Sequence, residues 1–352
     1  MSELRPYLAP AGVKVAALVA LAAAALAPRA LEAFAFRAEP GQRIKRHHRT
    51  ETTGTLERVE VEFGAESRTE NDPGVTFETT TTIDVTDAIA AVTDGRPTRF
   101  VRTFDALDRR AVQSVREANE TKREEHVERC AVAQRAVAFE WNASANEFAK
   151  RFEDGEQDAD ALEPLVEDMD LREFLPSAAS AGRIEGDVEL GLGWTVPFSA
   201  LKLGVLRPAG RLVFEGESVK RSAVETRLLE AVWDALDGSC RATLRAVRVE
   251  AGAHLGVIAI EADMTSHATA APEAGASVDP ARFDVVYRGR LEGEITWDLS
   301  AGRARSLRAE WRTERTLTEI RPAKTKDGAS VELRRKLVFR DTSRCRYDID
   351  AS

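Results

Sequence analysis

The chain has 352 residues, a formal net charge of −9 and 43% hydrophobic residues. This length suffices for one large or two ordinary domains, and the hydrophobic content supports a packed core and excludes wholesale disorder. The acidic balance argues against nucleic-acid binding, because the arginines alternate with acidic residues and form no basic surface.

A basic and then apolar segment opens the chain. Arg5 and Lys14 precede an apolar run at residues 15–27, which is the pattern of a secretory signal peptide. The run is shorter than the roughly 20 residues that a membrane span needs. We therefore expect a periplasmic or secreted protein.

The cleavage point of this segment is less regular. Pro28 disfavours cleavage directly before it, and residues 33–35 (Ala-Phe-Ala) form the next candidate site. The sequence predicts a signal peptide at residues 1–35; the alternative is an uncleaved inner-membrane anchor at residues 13–27. Without residues 1–35 the chain has 47 basic and 57 acidic residues, a net charge of −10.

Residues 36–155 are predicted to form an N-terminal β-rich half. One or two strands are expected at residues 36–63, the first at a sheet edge, followed by a turn at residues 71–74 (Asn-Asp-Pro-Gly). A second long strand then places apolar and threonine side chains on one face, namely Val75, Phe77, Thr79, Thr81, Ile83, Val85 and Ile89.

The rest of this half is less uniform. A turn at residues 93–96 leads into a strand with Phe100 and Phe104. Residues 106–131 are dense in charge, and their pattern does not distinguish between helix, strand and loop. A hairpin is predicted at residues 137–152.

Residues 156–238 are predicted to be a middle section of helices and short strands. Apolar residues at helical spacing predict a helix near residues 161–175, with Asp170 capping a second short turn. The clearest helix is at residues 222–237, where Ser222 and Glu225 form a capping box. A short strand is expected at residues 211–215.

Residues 239–352 are predicted to be a C-terminal β-rich half on the same core. Its centre is a hairpin at residues 283–311, with one apolar face that includes Leu291 and Trp297. Loops are expected at residues 267–280 and 321–329. A last long strand places Val331, Leu333, Leu337, Phe339, Cys345, Tyr347 and Ile349 on one face.

A short echo links the two halves. Residues 94–96 are followed by Phe100, as residues 301–303 are followed by Leu307 at the same spacing. An internal repeat and chance use of a common hairpin turn both explain this match.

The sequence predicts no catalytic residue, no metal ligand and no cofactor. Ser199 and Lys202 match Ser-x-x-Lys, but the Ser-Asp-Asn and Lys-Thr-Gly elements that accompany such a nucleophile are missing from the sequence. None of the five histidines has zinc-site spacing. His47 and His48 would point to opposite faces of a strand.

Acidic residues and cysteines give no stronger signal. The acidic cluster within residues 163–173 lacks the spacing of a calcium loop. Cys130, Cys240 and Cys345 are too few for a disulfide framework. The sequence is compatible with one disulfide bridge and with buried free thiols. Cys345 falls on an apolar strand face, as a buried thiol would.

Three segments together suggest a family. They are residues 94–104 (Asp-Gly-Arg-Pro-Thr leading to Arg-Thr-Phe), 168–176 (Asp-Met-Asp-Leu to Leu-Pro) and 191–197 (Gly-Leu-Gly-Trp-Thr-Val-Pro). With them the chain resembles secreted, uncharacterised β-rich proteins of planctomycete-type bacteria with an "LLP…VGDxW" pattern, over most of residues 40–320. Gly193 replaces the usual Asp before Trp194. The resemblance implies no activity and no functional residue.

We predict an α+β, mainly β protein: a long, curved antiparallel sheet, like a half-barrel, with two or three amphipathic helices on its concave side. Periplasmic lipoprotein carriers are similar by architecture only. Long apolar strand faces with few helices to cover them favour a non-enzymatic extracytoplasmic protein that binds a hydrophobic ligand, a lipid or a cell-envelope protein.

Three alternatives stay open. In the first, the helices and the opposing half cover the apolar faces completely. In the second, the chain is an enzyme whose site is invisible in sequence. The third is an outer-membrane β-barrel, which the internal helices, 6% aromatic content and polar C-terminus disfavour.

Overall fold

The structure is a computed structural model that describes residues 36–117, 120–156, 158–176, 190–210, 212, 214–215, 223–270 and 281–351. The signal peptide or anchor predicted at residues 1–35 lies outside the described residues.

Thirteen strands of the described chain form one antiparallel sheet. They are β1 (Arg43–Phe63), β2 (Glu66–Thr93), β3 (Arg96–Glu117), β4 (Glu120–Cys130), β5 (Ala136–Asn142), β6 (Glu147–Phe152), β7 (Gly193–Val196), β8 (Phe214–Glu215), β9 (Asp237–Glu250), β10 (Ala253–Ala270), β11 (Arg282–Asp298), β12 (Arg303–Lys324) and β13 (Ser330–Ala351). The order is β6-β5-β3-β2-β1-β13-β12-β11-β10-β9-β7, and β4 extends beside β3 to meet β8. The end strands β6 and β7 do not pair with each other in the described chain, so the sheet is not closed.

The helices are short. They are α1 (Ala159–Leu162), a 3₁₀ turn (Arg172–Phe174), α2 (Phe198–Leu201) with a π turn (Lys202–Leu206) after it, and α3 (Ala223–Asp234). Among the described residues no helix combines the length and the apolar character that crossing a bilayer requires. The predicted fold class, a long antiparallel sheet with a few short helices, is confirmed.

The first strand was placed wrongly by the sequence. β1 is not at an edge but in the middle of the sheet, hydrogen-bonded to β2 on one side and to the last strand, β13, on the other. The low apolar content of β1 suggested an edge strand. In the sheet, the exposed polar positions of β1 alternate with buried ones, which include Ile44, His48 and Leu56.

The predicted turn at residues 71–74 is also wrong. These residues lie within β2, where the register with β1 shifts between Leu56 and Arg58. Asp72 and Gly74 have positive φ there, so the Pro-Gly signal marks an irregularity that bends a continuous strand. The turn between β1 and β2 is at Gly64 and Ala65.

Several other predicted boundaries move because hairpin pairing extends the strands. The described part of residues 106–130 forms the end of β3 and all of β4. β10 and β12 each run four residues into the predicted loops, to Ala270 and Lys324. The predicted helix at residues 161–175 is reduced to α1 and a 3₁₀ turn, since Pro164 cannot continue a helix. Asp170 does accept the amide hydrogen of Arg172.

The clearest predicted helix, at residues 222–237, is present as α3 but ends at Asp234. Gly238 belongs to β9. The predicted cap residue Ser222 lies outside the described residues. The predicted strand at residues 211–215 is reduced to the two-residue β8, with part of that stretch outside the described residues.

One face of the sheet carries the core. We call it the inner face, and we call the described residues between β6 and β9 that pack on it the insert. The Tyr347 hydroxyl of β13 donates to the backbone carbonyl of Met169, and Ser266 of β10 donates to the carbonyl of Val232 in α3. The predicted apolar faces of β11, β12 and β13 are confirmed where they meet this core: Leu291, Leu307 and Tyr347 are fully buried there.

Candidate functional site

A buried ion-pair network joins the sheet to the insert. Asp87 on β2 accepts two hydrogen bonds from Arg102 on β3, at 2.7 and 2.9 Å. It also accepts one from Arg46 on β1, at 2.5 Å. Each of these three residues is 5% exposed or less. We call them the buried triad.

The triad also holds the insert in place. Arg102 donates to the backbone carbonyls of Val166 and Glu167, at 2.7 and 2.9 Å. Although burial opposes its charge, Arg102 and Arg46 lower the pKa of the Asp87 carboxyl. Asp87 is therefore ionised in the folded protein, and its negative charge compensates the two buried arginines.

Two acidic residues, Asp168 and Asp170, lie on the insert beside the triad. Arg172 forms an ion pair with Asp168, at 2.6 Å, and lies 3.6 Å from Asp170. Burial and the neighbouring Asp168 raise the pKa of Asp170. For Asp168 the opposing effect of burial is outweighed by Arg172, which lowers the pKa. Arg172 thus compensates the charge of Asp168, whereas Asp170 is shifted towards its neutral form. No metal-binding group of three or more acidic, His or Cys residues occurs among the described residues.

The sequence missed the triad. Its three members stand at inward positions of strands whose neighbouring inward residues are apolar, such as Val85 and Ile89 around Asp87. A charged residue that interrupts an apolar strand face was the available signal, because a lone charge at such a position needs a buried partner.

His48 and Cys345 form a buried thiol–imidazole contact, with Sγ and Nε2 3.2 Å apart. Burial lowers the pKa of His48 to about 4 and raises that of Cys345 to about 12. Both groups are therefore neutral at physiological pH, whereas a cysteine nucleophile needs a stabilised thiolate and access to substrate. His47, as predicted, faces the opposite way and is exposed.

In the Ser-x-x-Lys match, the lysine makes structural contacts with the backbone. Lys202 donates to the carbonyls of Trp233 and Leu236 at the end of α3, at 2.8 and 3.1 Å, where a cation is favoured by the exposed carbonyls. Ser199 is exposed. Cys130, Cys240 and Cys345 are all buried free thiols, so the alternative of a disulfide is not seen.

The inner face continues beyond the core. A strand of 22 residues such as β13 extends about 70 Å at roughly 3.3 Å per residue. The described core cluster ends on β12 at Trp311 and on β13 at Cys345. We use the name distal face for eight half-buried inner-face residues beyond this core, namely Val59, Val75, Phe77, Arg315, Leu317, Leu337, Phe339 and Asp341. Nearer the tip of the β12–β13 hairpin the inner-face positions are charged, at Glu70, Glu319 and Arg335.

The distal face is largely apolar. In-register pairs place its members on adjacent strands, and none of them belongs to the core cluster or packs against it. All are half-buried, so they are partly open to solvent. The central apolar members are Val59, Val75, Phe77, Leu317, Leu337 and Phe339.

Two charged side chains lie within this apolar surface. Arg315 and Asp341 are on neighbouring strands, where Arg315 pairs with Phe339 and Asp341 with Thr313. The guanidinium carbon of Arg315 lies 4.5 Å from the centre of the Phe339 ring. Asp341 Oδ2 accepts from the Thr313 hydroxyl at 3.5 Å. We call Arg315 and Asp341 the distal polar pair.

Arg315 and Asp341 do not satisfy each other's charge or hydrogen-bonding groups. Arg315 and Asp341 form no ion pair with each other, or with another residue in the described ranges, within 4.0 Å. Arg315 Nε and Asp341 Oδ1 are both buried without a hydrogen-bond partner there. Burial raises the pKa of Asp341 despite the nearby Arg315. Burial also raises the pKa of Tyr287, which lies opposite Arg315 on β11, to about 12.

Comparison with known proteins identifies no family. No family model matches the chain, and no curated protein matches it. An outer membrane channel from Pseudomonas putida aligns over 90% of this chain and 98% of its own, at 8% identity and a TM-score of 0.19. An outer membrane protein of Vibrio cholerae aligns over 89% and 99%, at 7% identity and a TM-score of 0.14. TM-scores of this size do not establish a shared fold. The predicted likeness to planctomycete-type secreted proteins stays a prediction.

Proposed function

We propose that this chain is a non-enzymatic extracytoplasmic protein that binds a hydrophobic ligand on its distal face. The observation that carries the proposal is the set of half-buried apolar side chains there that makes no contact with the core cluster. Single exposed apolar residues are ordinary, but a contiguous apolar patch on a folded protein marks a binding surface.

The burial of two polar atoms within the distal face supports this function. Atoms of Arg315 and Asp341 are buried although the core ends before them, which fits a concave surface whose flanking strands shield its floor. Helix α3 packs on β10 and β11, the strands next to β12 on this side of the sheet. A ligand in this groove would exchange water contact for apolar contact at roughly 25 cal/mol per Å² of apolar area.

The groove is tested with an uncharged fluorescent probe. We expect N-phenyl-1-naphthylamine to bind the purified protein with enhanced fluorescence. Leu337→Glu should weaken this binding by about tenfold or more, because it places a charge on the apolar surface. The matched control is Val338→Glu, which alters the neighbouring residue on the opposite face of the same strand. Equal loss in both variants, or no binding by the unaltered protein, would overturn the proposal.

A natural ligand is sought by native mass spectrometry of protein taken from its own cell envelope, with lipid extraction of the same sample. We expect a bound lipid-sized molecule at a stoichiometric ratio, lost in the Leu337→Glu variant. A mass equal to the bare chain in the unaltered protein would favour the alternative in which no ligand exists.

The extracytoplasmic location rests on the N-terminal segment. Phe36 is buried, and the amide of Arg37 donates to the carbonyl of Gly302 at 2.8 Å. Both residues follow directly after the predicted cleavage site at residue 35. N-terminal sequencing of the envelope protein should start at residue 36 if the segment is cleaved, whereas an intact N-terminus in the membrane fraction would support the anchor. Recovery of the intact chain from cytoplasm would contradict both.

A further inference from the structure

The distal polar pair places one unsatisfied donor and one unsatisfied acceptor on the floor of the apolar groove. Arg315 Nε can donate a hydrogen bond and Asp341 Oδ1 can accept one, and both are buried without a partner in the described chain. Leaving a buried polar group unpaired costs about 1–3 kcal/mol. A native protein rarely tolerates two such groups side by side without water or a ligand between them.

No nitrogen of Arg315 lies within 4.0 Å of an oxygen of Asp341, so a direct ion pair does not join the two side chains. Arg315 is diagonal to Asp341 across the β12–β13 ladder, and diagonal neighbours have Cα atoms roughly 7–8 Å apart. Phe339 fixes the guanidinium by stacking, and it meets Phe77 edge to face with ring centres 6.1 Å apart. The distal polar pair therefore lies beside aromatic rings and is half-buried.

The charges of the pair decide which headgroup fits. A carboxylate or phosphate would gain from Arg315 but would be repelled by Asp341, and a quaternary ammonium would meet the reverse. A neutral group that both accepts and donates satisfies the two atoms at once without a charge penalty. The apolar rows on either side, which include Val59, Leu317 and Leu337, suit an alkyl chain.

We infer that the distal face binds a single-chain amphiphile with a neutral headgroup that both donates and accepts hydrogen bonds, an alcohol or an amide. Arg315 donates to the headgroup oxygen, and the headgroup hydroxyl or N–H donates to Asp341. The alkyl chain lies along the apolar members of the distal face. This inference rests on the proposed function and adds the class of headgroup.

Four probes with the same twelve-carbon chain test the headgroup: dodecanol, dodecanamide, dodecanoate and dodecyltrimethylammonium, each below its micelle concentration at neutral pH. The readout is displacement of N-phenyl-1-naphthylamine from the purified protein. We expect the alcohol and the amide to displace the dye at about tenfold lower concentration than either charged probe, a difference of about 1.4 kcal/mol.

Two variants should invert this order in opposite directions. Arg315→Met leaves Asp341 alone and should make the ammonium probe the tightest ligand. Asp341→Leu leaves Arg315 alone and should make dodecanoate the tightest; Asp341→Asn removes the same charge if the leucine variant does not fold. Arg312→Met, on the outer face of the same strand, is the matched control and should keep the original order.

The outcomes separate the two proposals. Equal displacement by all four probes, or variants that weaken all probes alike, would overturn the headgroup assignment and leave the hydrophobic groove standing. A charged probe that binds the unaltered protein most tightly would likewise overturn it. If no probe displaces the dye and the dye itself does not bind, the proposed function fails first.

Discussion

Asp87→Asn is expected to lower the free energy of unfolding by about 3–5 kcal/mol. The substitution keeps the shape of the side chain but leaves Arg46 and Arg102 charged, buried and without a counter-ion. It also weakens the attachment of the insert, because Arg102 donates to its backbone at Val166 and Glu167. Urea unfolding followed by tryptophan fluorescence measures the loss.

An exposed ion pair supplies the control for this prediction. Arg110 and Glu125 form an equally well-aligned pair, with two contacts of 2.8 Å, on the surface. Glu125→Gln should leave the free energy of unfolding unchanged within error, because water replaces an exposed partner. A similarly small effect of Asp87→Asn would mean that water reaches the triad and that it is not the buried link described here.

A compound variant separates the need for charge from the need for packing. Combining Arg46→Met, Asp87→Leu and Arg102→Met removes every member of the triad, so that no charge is left unpaired. We expect this variant to regain most of the stability that Asp87→Asn loses, since buried ion pairs are often replaced by apolar residues at little net cost. If it is less stable than Asp87→Asn, the hydrogen bonds to the insert dominate over charge pairing.

Acid should destabilise the protein through His48. Burial lowers the pKa of His48 to about 4, whereas the unfolded chain has the ordinary value of about 6.5. Protons therefore bind the unfolded chain first as the pH falls. The stability that His48 contributes is complete above about pH 6.5 and is lost progressively down to about pH 4, by about 3 kcal/mol in all.

This contribution is measured by difference, because carboxylates also titrate in acid. His48→Phe removes the titrating group, so its free energy of unfolding should fall less steeply between about pH 7 and 4.5 than that of the unaltered protein. His267→Gln changes an exposed histidine and should retain the steeper fall. Parallel curves for the unaltered protein and His48→Phe would show that His48 is accessible to protons in the folded state.

The local structure of the strands was predictable because alternation is a local property of the chain. The hairpin of β11 and β12 shows this: Leu291, Ile295 and Leu307 occupy the apolar face that the sequence predicted, and they are buried. Strand ends were predicted less well, since pairing with a neighbour extends β10 and β12 beyond their apolar stretches.

The sites were not predictable to the same degree. A single sequence shows Asp87 and Arg315 as charged interruptions of apolar faces, but it cannot show what each one meets. The partners of Asp87 come from β1 and β3, 41 and 15 residues away. Arg315 and Asp341 adjoin only because the β12–β13 register places Phe339 opposite Arg315.

Hydrophobic periodicity acts over a few residues, so the amino-acid pattern was enough to predict the β-rich class, the two faces of the long strands and the position of helix α3. The pairing of the first and last strands at the centre of the sheet, and the end of the core before the strand tips, became visible only in the folded structure. Those features depend on contacts between residues distant in the chain. They produce both the buried triad that holds the insert and the half-buried distal face beyond the core.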